Sequence, residues 1–454
     1  MGDTKKIAAL VSWLSGQHVD CSRLRPSYHA DSSWGLTVAD YTRENELLLE
    51  VPDRLIIRSS LIVHIAPYKE ALKCCPGVLS SFELLVVFVC HERLRASASQ
   101  WHCFISSLPD MASFARMPTS AALDAPGSAG CFDADWLPPA IRTPFRKLRQ
   151  HLQNSMRKCR MFVDKTNLLQ TLIGANDDKN AATITDDVLL WAWHCVNTRC
   201  VYIDNVDNEL LDNADGDTIA LMPFFDLLNH SPVAKARASY YRYTNSYRLY
   251  AERGGICAGE QLYICYGPHS NAKLLVEYGF TLQENPNNSV TVTNEELYVA
   301  AQQCAMPVTS AHLQALNKAI SCRMWESEYE PSWMLMGALK LISMDSKQLC
   351  TSTGTATIYQ HAKEFLHDRT LAALGVKLMS IIRDSVVTEH EHVRQQYSST
   401  RFASDLDSLW DDDVRVHTQC IGRLENIVTY GVVDPADISS DDSSTNNGDI
   451  FELA

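Results

Sequence analysis

At 454 residues the chain is long enough for two or three domains, and 46% apolar with 21% charged residues is an ordinary globular composition able to bury a large core. Forty basic against 54 acidic residues leave a net charge of −14, which argues against direct nucleic-acid binding and allows attraction to a basic protein segment. Fifteen cysteines with no CxxC pair argue against a four-cysteine zinc site and read as reduced thiols of a cytosolic or nuclear protein; no run of about 18 apolar residues is there to span a membrane.

Residues 5–17 read as a helix. The apolar run Ile7–Leu14 behind Lys5-Lys6 is too short for a signal peptide and has no small-residue cleavage box, and Met1-Gly2 is followed by Lys6 where myristoylation wants Ser or Thr. Pro26 to Ser33 reads as irregular. Trp34–Val38 and Glu46–Pro52 then read as two strands joined by the charged turn Thr42-Arg43-Glu44-Asn45. From about Ser80 to Asp217 the periodicity is helical, clearest at Phe82–Val89 and Val188–His194. Trp101 to Pro139 is rich in Pro, Ser and Ala, and Asp204 to Asp217 is a surface loop.

Leu221–Phe280 organises the rest. A short apolar run ends in Asp226-Leu227-Leu228-Asn229-His230-Ser231, and Pro232 forbids its continuation as a helix. Ala238–Tyr243 and Tyr247–Ala251 alternate around Thr244-Asn245-Ser246 as a hairpin does. Gln261–Tyr266 is a β-branched and aromatic strand that Gly267-Pro268 ends, leaving Tyr266 at its tip.

After Asn288 helices return, from Asn294, from Ser310, at Trp333–Ile342, at Tyr359–Gln396 with an interruption near Gly375, and at Val414–Tyr430. His390-Glu391-His392 has the wrong spacing for two metal ligands on one helix face and reads as solvated surface. The expected organisation is 1–80 as an N-terminal helix and first β segment, 81–217 as a helical insertion, 218–290 as the second β segment, 291–433 as an all-α domain, and 434–454 as an acidic, serine-rich tail.

The order DLLNHS, hairpin, GEQLYICYG, EYGF resembles the C-terminal half of a SET domain, the catalytic fold of protein-lysine methyltransferases, in the branch that includes Rubisco large-subunit methyltransferase. Gly267 to Asn288 lacks the cysteine-rich zinc segment of many SET enzymes, which fits that branch. The resemblance implies an α+β fold, a β-rich SET domain with a helical insertion followed by an all-α substrate-binding domain. It further implies S-adenosyl-L-methionine as cofactor, with no metal, and a monomeric cytoplasmic and nuclear enzyme acting on a lysine of a protein substrate, a histone tail or another protein.

By the same resemblance, Tyr266 is the catalytic residue that orients the amine. Asn229 and His230 hold the adenosine portion, Asp226 braces their turn, Arg199 neutralises the methionine carboxylate, and Phe280 packs on the adenine ring. Where the family has Gly-Arg-Gly-Leu, this chain has Ser33-Trp34-Gly35-Leu36. Trp34, Gly35 and Leu36 are assigned to the cofactor, and the loss of the first glycine restricts the backbone there. Two alternatives stay open. One is a protein-histidine methyltransferase, which the apolar Cys200 and Val201 beside Arg199 disfavour for want of a polar partner. The other is a SET scaffold that binds without catalysing, for which the altered turn is the motive.

Overall fold

The computed structural model describes residues 2–30, 33–121, 123, 131–166, 168, 184–203, 207–214, 219–252, 254–317, 322–325, 331–345, 349, 358 and 361–431. They form two compact units, Met1–Ala134 with Thr143–Asn285, and Asp135–Arg142 with Pro286–Ala454. The tail at 434–454, part of the 204–217 loop, and Tyr359 lie outside the described residues.

In the first unit the helix Gly2–Gly16 precedes β1 (Leu24–His29), β2 (Ser33–Val38), β3 (Leu47–Pro52) and β4 (Ile57–Arg58). Beyond a helical block follow β5 (Val201–Tyr202), β6 (Ile219–Leu221), β7 (Asn229–His230), β8 (Ala236–Tyr241), β9 (Ser246–Ala251) and β10 (Gln261–Ile264). They build three small sheets, ordered β1-β2-β10-β7, β3-β9-β8 and β4-β6-β5. All the pairings are antiparallel except β7 with β10.

Two readings of the N-terminal stretch need correction. The segment from Pro26 is not irregular: β1 runs through it, with Pro26 opposite Leu36. A proline is tolerated there because β1 is the outer strand and needs no donor on its free side. Nor do β2 and β3 form a hairpin. β2 pairs with β1 and β10 while β3 pairs with β9, and the fully buried Thr42, bridged to Ile256, anchors the crossing between sheets. The second hairpin begins two residues earlier than expected, at Ala236, and β10 stops at Ile264, so Tyr266 stands beyond the strand.

The helical block is anchored by Ser81–Arg95, whose residues Phe82 to Glu92 are all buried. Its start is fixed by a reciprocal cap, the Ser80 hydroxyl accepting from the Glu83 amide and the Glu83 carboxylate from the Ser80 amide. It packs against Asp186–Arg199, capped by Thr185, with two aspartates in the first turn and Arg199 in the last, each favourable to the helix dipole.

The second unit opens with a ribbon of β11 (Ser289–Val292) and β12 (Cys322–Trp325). Its main helices are Asn294–Gln303, Ser310–Asn317, Trp333–Ser343, Arg369–Tyr397 and Ala403–Tyr430. The interruption expected near Gly375 is absent. A Cβ at that glycine would stand 2.9 Å from Leu339 Cδ1 and 3.0 Å from Leu424 Cδ1, so Gly375 serves close helix packing and not a break. The last helix starts at Ala403, eleven residues before Val414. His390 is not a solvated surface group either. It is half-buried, stacks on Trp410 at 5.2 Å, and shares Asp407 with Tyr397.

Among the described residues no helix is long and apolar enough to cross a membrane.

Ser33 adopts φ +67°, the left-handed region an L side chain enters at a cost of about 1–2 kcal/mol. Replacement by glycine should therefore raise the thermal midpoint by the equivalent of up to about 1 kcal/mol, part of the relief being offset by the freer unfolded chain, and Ser33→Val should lower it. Calorimetry of the two variants checks this; a lower midpoint for the glycine form contradicts the conformation.

Candidate functional site

The site is built where the chain leaves β6. Phe224, fully buried, takes φ +73°, and the tight turn Phe225–Leu227 that follows drives Asp226 inward before the chain enters β7. A buried non-glycine residue in that region is strain held by its surroundings. β7 is only Asn229 and His230, seated beside Tyr263 and Ile264 of β10.

Tyr266 is held to this turn twice. Its amide donates to His230 Nδ1 at 3.1 Å, and its hydroxyl donates to the Leu228 carbonyl at 2.6 Å. The two rings lie 5.1 Å apart, with Phe280 6.4 Å from His230. Burial pushes the Tyr266 phenol up to about 12, the Arg199 charge opposing the rise. Burial likewise lowers His230, keeping the imidazole neutral. Because Nδ1 accepts from Tyr266, the ring proton sits on Nε2, which is buried and has no partner among the described residues.

β2 passes this pair at close range. A Cβ on Gly35 would stand 2.6 Å from Gln261 Nε2 and 2.8 Å from Asn229 Nδ2, and Asn229 donates to the Trp34 carbonyl at 3.3 Å. Trp34 is half-buried, edge-on to Tyr28 at 6.0 Å, whereas Leu36 has no exposed surface. Trp34, Gly35, Asn229, His230, Tyr266 and Phe280 are thus brought together.

Arg199 and Asp226 stand on another side, with Tyr266, in a cavity of about 710 Å³. Arg199 Nη1 donates to the Asp226 carbonyl and lies 3.6 Å from its carboxylate. That side chain has no exposed surface, and neither of its oxygens has a hydrogen-bond partner among the described residues. Desolvation pushes the Asp226 carboxyl up to about 6 although Arg199 pulls it down. The cavity lining also includes Thr198, Ser239 and Glu252, so it is not purely apolar.

Sequence reasoning passed over Tyr278 and Gln261. Tyr278 lines the cavity with its ring 5.3 Å from Tyr266, and burial pushes its phenol far up. It ends a π-helical turn, Leu274–Tyr278, whose Glu277 carbonyl accepts from Asn197 on the Arg199 helix. The signal was the EYGF motif itself, from which only Phe280 was taken. Gln261 gives no sequence signal, since only the fold sets it against Gly35.

No family model matches the chain. It is 28% identical to SET domain-containing protein 4 of Homo sapiens over 75% of this chain and 72% of that protein. Over 25% of its length it is 38% identical to the ribosomal lysine N-methyltransferase set11 of Schizosaccharomyces pombe, covering 27% of that protein. An actin-histidine N-methyltransferase of Danio rerio is 23% identical over 67% of this chain and 51% of its own. Among solved structures, Rubisco LSMT bound to sinefungin and monomethyllysine superposes with a TM-score of 0.60 at 17% identity, over 93% of this chain and 92% of that one. The chain is thus similar to SET domain-containing protein 4 over most of its length, and it has the α+β fold of Rubisco LSMT.

The raised Asp226 carboxyl fixes a sign. The folded state holds this proton more tightly than the unfolded chain, so the contribution is fully present below about pH 4 and is lost as pH rises through about 6, up to about 3 kcal/mol in all. Asp226→Asn should flatten stability against pH across that window relative to the wild type. Parallel curves in denaturant titrations at pH 4, 5, 6 and 7 would contradict the assignment.

Proposed function

We propose that the chain is an S-adenosyl-L-methionine-dependent protein-lysine N-methyltransferase, with Tyr266 as its catalytic residue. The observation that carries this reading is the double attachment of Tyr266 to the Leu228–His230 turn, next to the point where Gly35 passes Asn229.

The residues fit the cofactor. Gly35 leaves open the space a Cβ would fill, and the neutral His230 presents a buried, unpartnered Nε2–H. Trp34 and the Gly35 backbone, Asn229, His230 and Phe280 would hold the adenosine part, Arg199 the carboxylate, and Leu36 would support the strand from the core. Bound there, the cofactor supplies an electrophilic methyl group on a sulfonium.

The chain's own residues do the rest. Tyr266 stays protonated at every physiological pH, so it is an orienting group and not a base. With its proton given to Leu228, the hydroxyl oxygen keeps lone pairs that accept from an entering amine and aim its nitrogen. Tyr278 and the apolar part of the wall desolvate that amine, which favours its neutral form. The amine's proton leaves to water. Alignment of this kind can supply on the order of 7–11 kcal/mol.

The substrate is a protein, a histone tail or another lysine-bearing segment, met in the cytoplasm or nucleus. A protein-histidine reading comes second. Tyr278, which lines the cavity beside Tyr266, carries a phenol that could serve as the polar partner an imidazole would need, which weakens the ground on which the sequence disfavoured it.

Transfer of labelled methyl to lysine and histidine peptides separates the two readings, lysine peptides being the acceptors expected. Tyr266→Phe should lower kcat on the order of a hundredfold or more with the melting temperature held within a few degrees. The logarithm of kcat/KM should rise with pH at a slope near one from pH 7 toward the pKa of the amine, with no break from Tyr266. An unchanged rate in Tyr266→Phe, or a falling profile, contradicts the mechanism.

A further inference from the structure

The cavity that holds Tyr266 is also lined by five consecutive residues of β8, from Ala236 through Arg237, Ala238 and Ser239 to Tyr240. Successive strand side chains point to opposite faces, so five in a row line one cavity only if it runs along the strand's edge. β8 is the outer strand of the β3-β9-β8 sheet, and its free edge offers backbone donors and acceptors to an extended segment.

The charges around β8 are unequal. Arg248 is matched by Glu50 at 2.9 Å, Arg58 by Asp53 at 2.8 Å and Lys235 by Glu260 at 2.7 Å. Arg237 is exposed and held by neutral groups. Its guanidinium lies 5.1 Å over the Tyr250 ring, with Nη1 3.4 Å from the Tyr241 hydroxyl and Nη2 3.3 Å from Asn45 Oδ1. Two of five N–H donors are engaged, the head is fixed in place, and no carboxylate among the described residues neutralises it. Glu252 is the acidic residue on the same wall, its amide donating to the Lys235 carbonyl.

We infer that Arg237 is a specificity-determining residue that receives a carboxylate of the substrate, so that the preferred target lysine lies in an extended segment with an acidic residue nearby. β8 and Tyr266 line one cavity, so an extended segment laid along the β8 edge passes Arg237 in the same stretch of chain that carries the lysine. This inference rests on the methyltransferase reading and narrows its substrate class, against the net charge of −14 that alone would favour basic tails.

The test uses nonapeptides with one central lysine and flanks of Glu, Gln or Lys. Affinity is measured by fluorescence anisotropy and methyl transfer on the same samples, for the full chain and for Arg237→Glu and Glu252→Gln. The wild type should bind glutamate-flanked peptides about fivefold more tightly than lysine-flanked ones, Arg237→Glu should reverse the order, and Glu252→Gln should keep it. Equal affinity for all flanks, preference for lysine flanks, or an order unchanged in Arg237→Glu overturns the inference. Binding that follows the charge without methyl transfer contradicts the catalytic reading alone, and methyl transfer indifferent to charge contradicts the docking alone.

Discussion

The hydrogen bond from the Tyr266 amide to His230 Nδ1 is the contact on which the rest of the site depends. It joins the end of β10 to β7, which is only two residues long and could not hold its place by ladder pairing alone. It also decides the tautomer of His230, leaving a buried N–H directed away from Tyr266. The second attachment, from the hydroxyl to Leu228, fixes the phenol's direction. With both in place, an aromatic hydroxyl and a narrow crossing of β2 against Asn229 become neighbours in space although β2 lies far away in sequence.

Electrostatics divides this small region into two kinds of ground. Around Tyr266, His230 and Tyr278 burial favours neutral forms throughout, so none of these groups competes for the proton of an entering amine. One residue turn away, Asp226 is buried as a carboxylate beside a single guanidinium at 3.6 Å. A buried carboxylate paired with one guanidinium is still expensive in a dry interior, and burial pushes its pKa up to about 6. The strained Phe224 that precedes it is a second cost in the same turn. Natural chains keep such expense where a site needs it.

Much of this could be read from the chain. DLLNHS ending at Pro232 and Tyr266-Gly267-Pro268 ending a β-branched run are local patterns, and local patterns survive folding. What could not be read were the partnerships. Pro26 masked β1 because an outer strand forgives a missing donor, and a polar turn between two apolar runs looks the same whether the runs pair or part, as β2 and β3 do. Gly375 looks like a break until Leu339 and Leu424 are seen against it. Ser33, by contrast, stands in the left-handed region that a glycine enters without penalty, at some cost in strain.

The most direct measurement is hydrogen–deuterium exchange of the full chain with and without S-adenosyl-L-methionine. The account predicts slowed exchange confined chiefly to residues 33–36, 228–231 and 264–267, the three segments that meet at the Tyr266 clamp. Protection elsewhere with these three unchanged, or no protection at saturating cofactor, would contradict it.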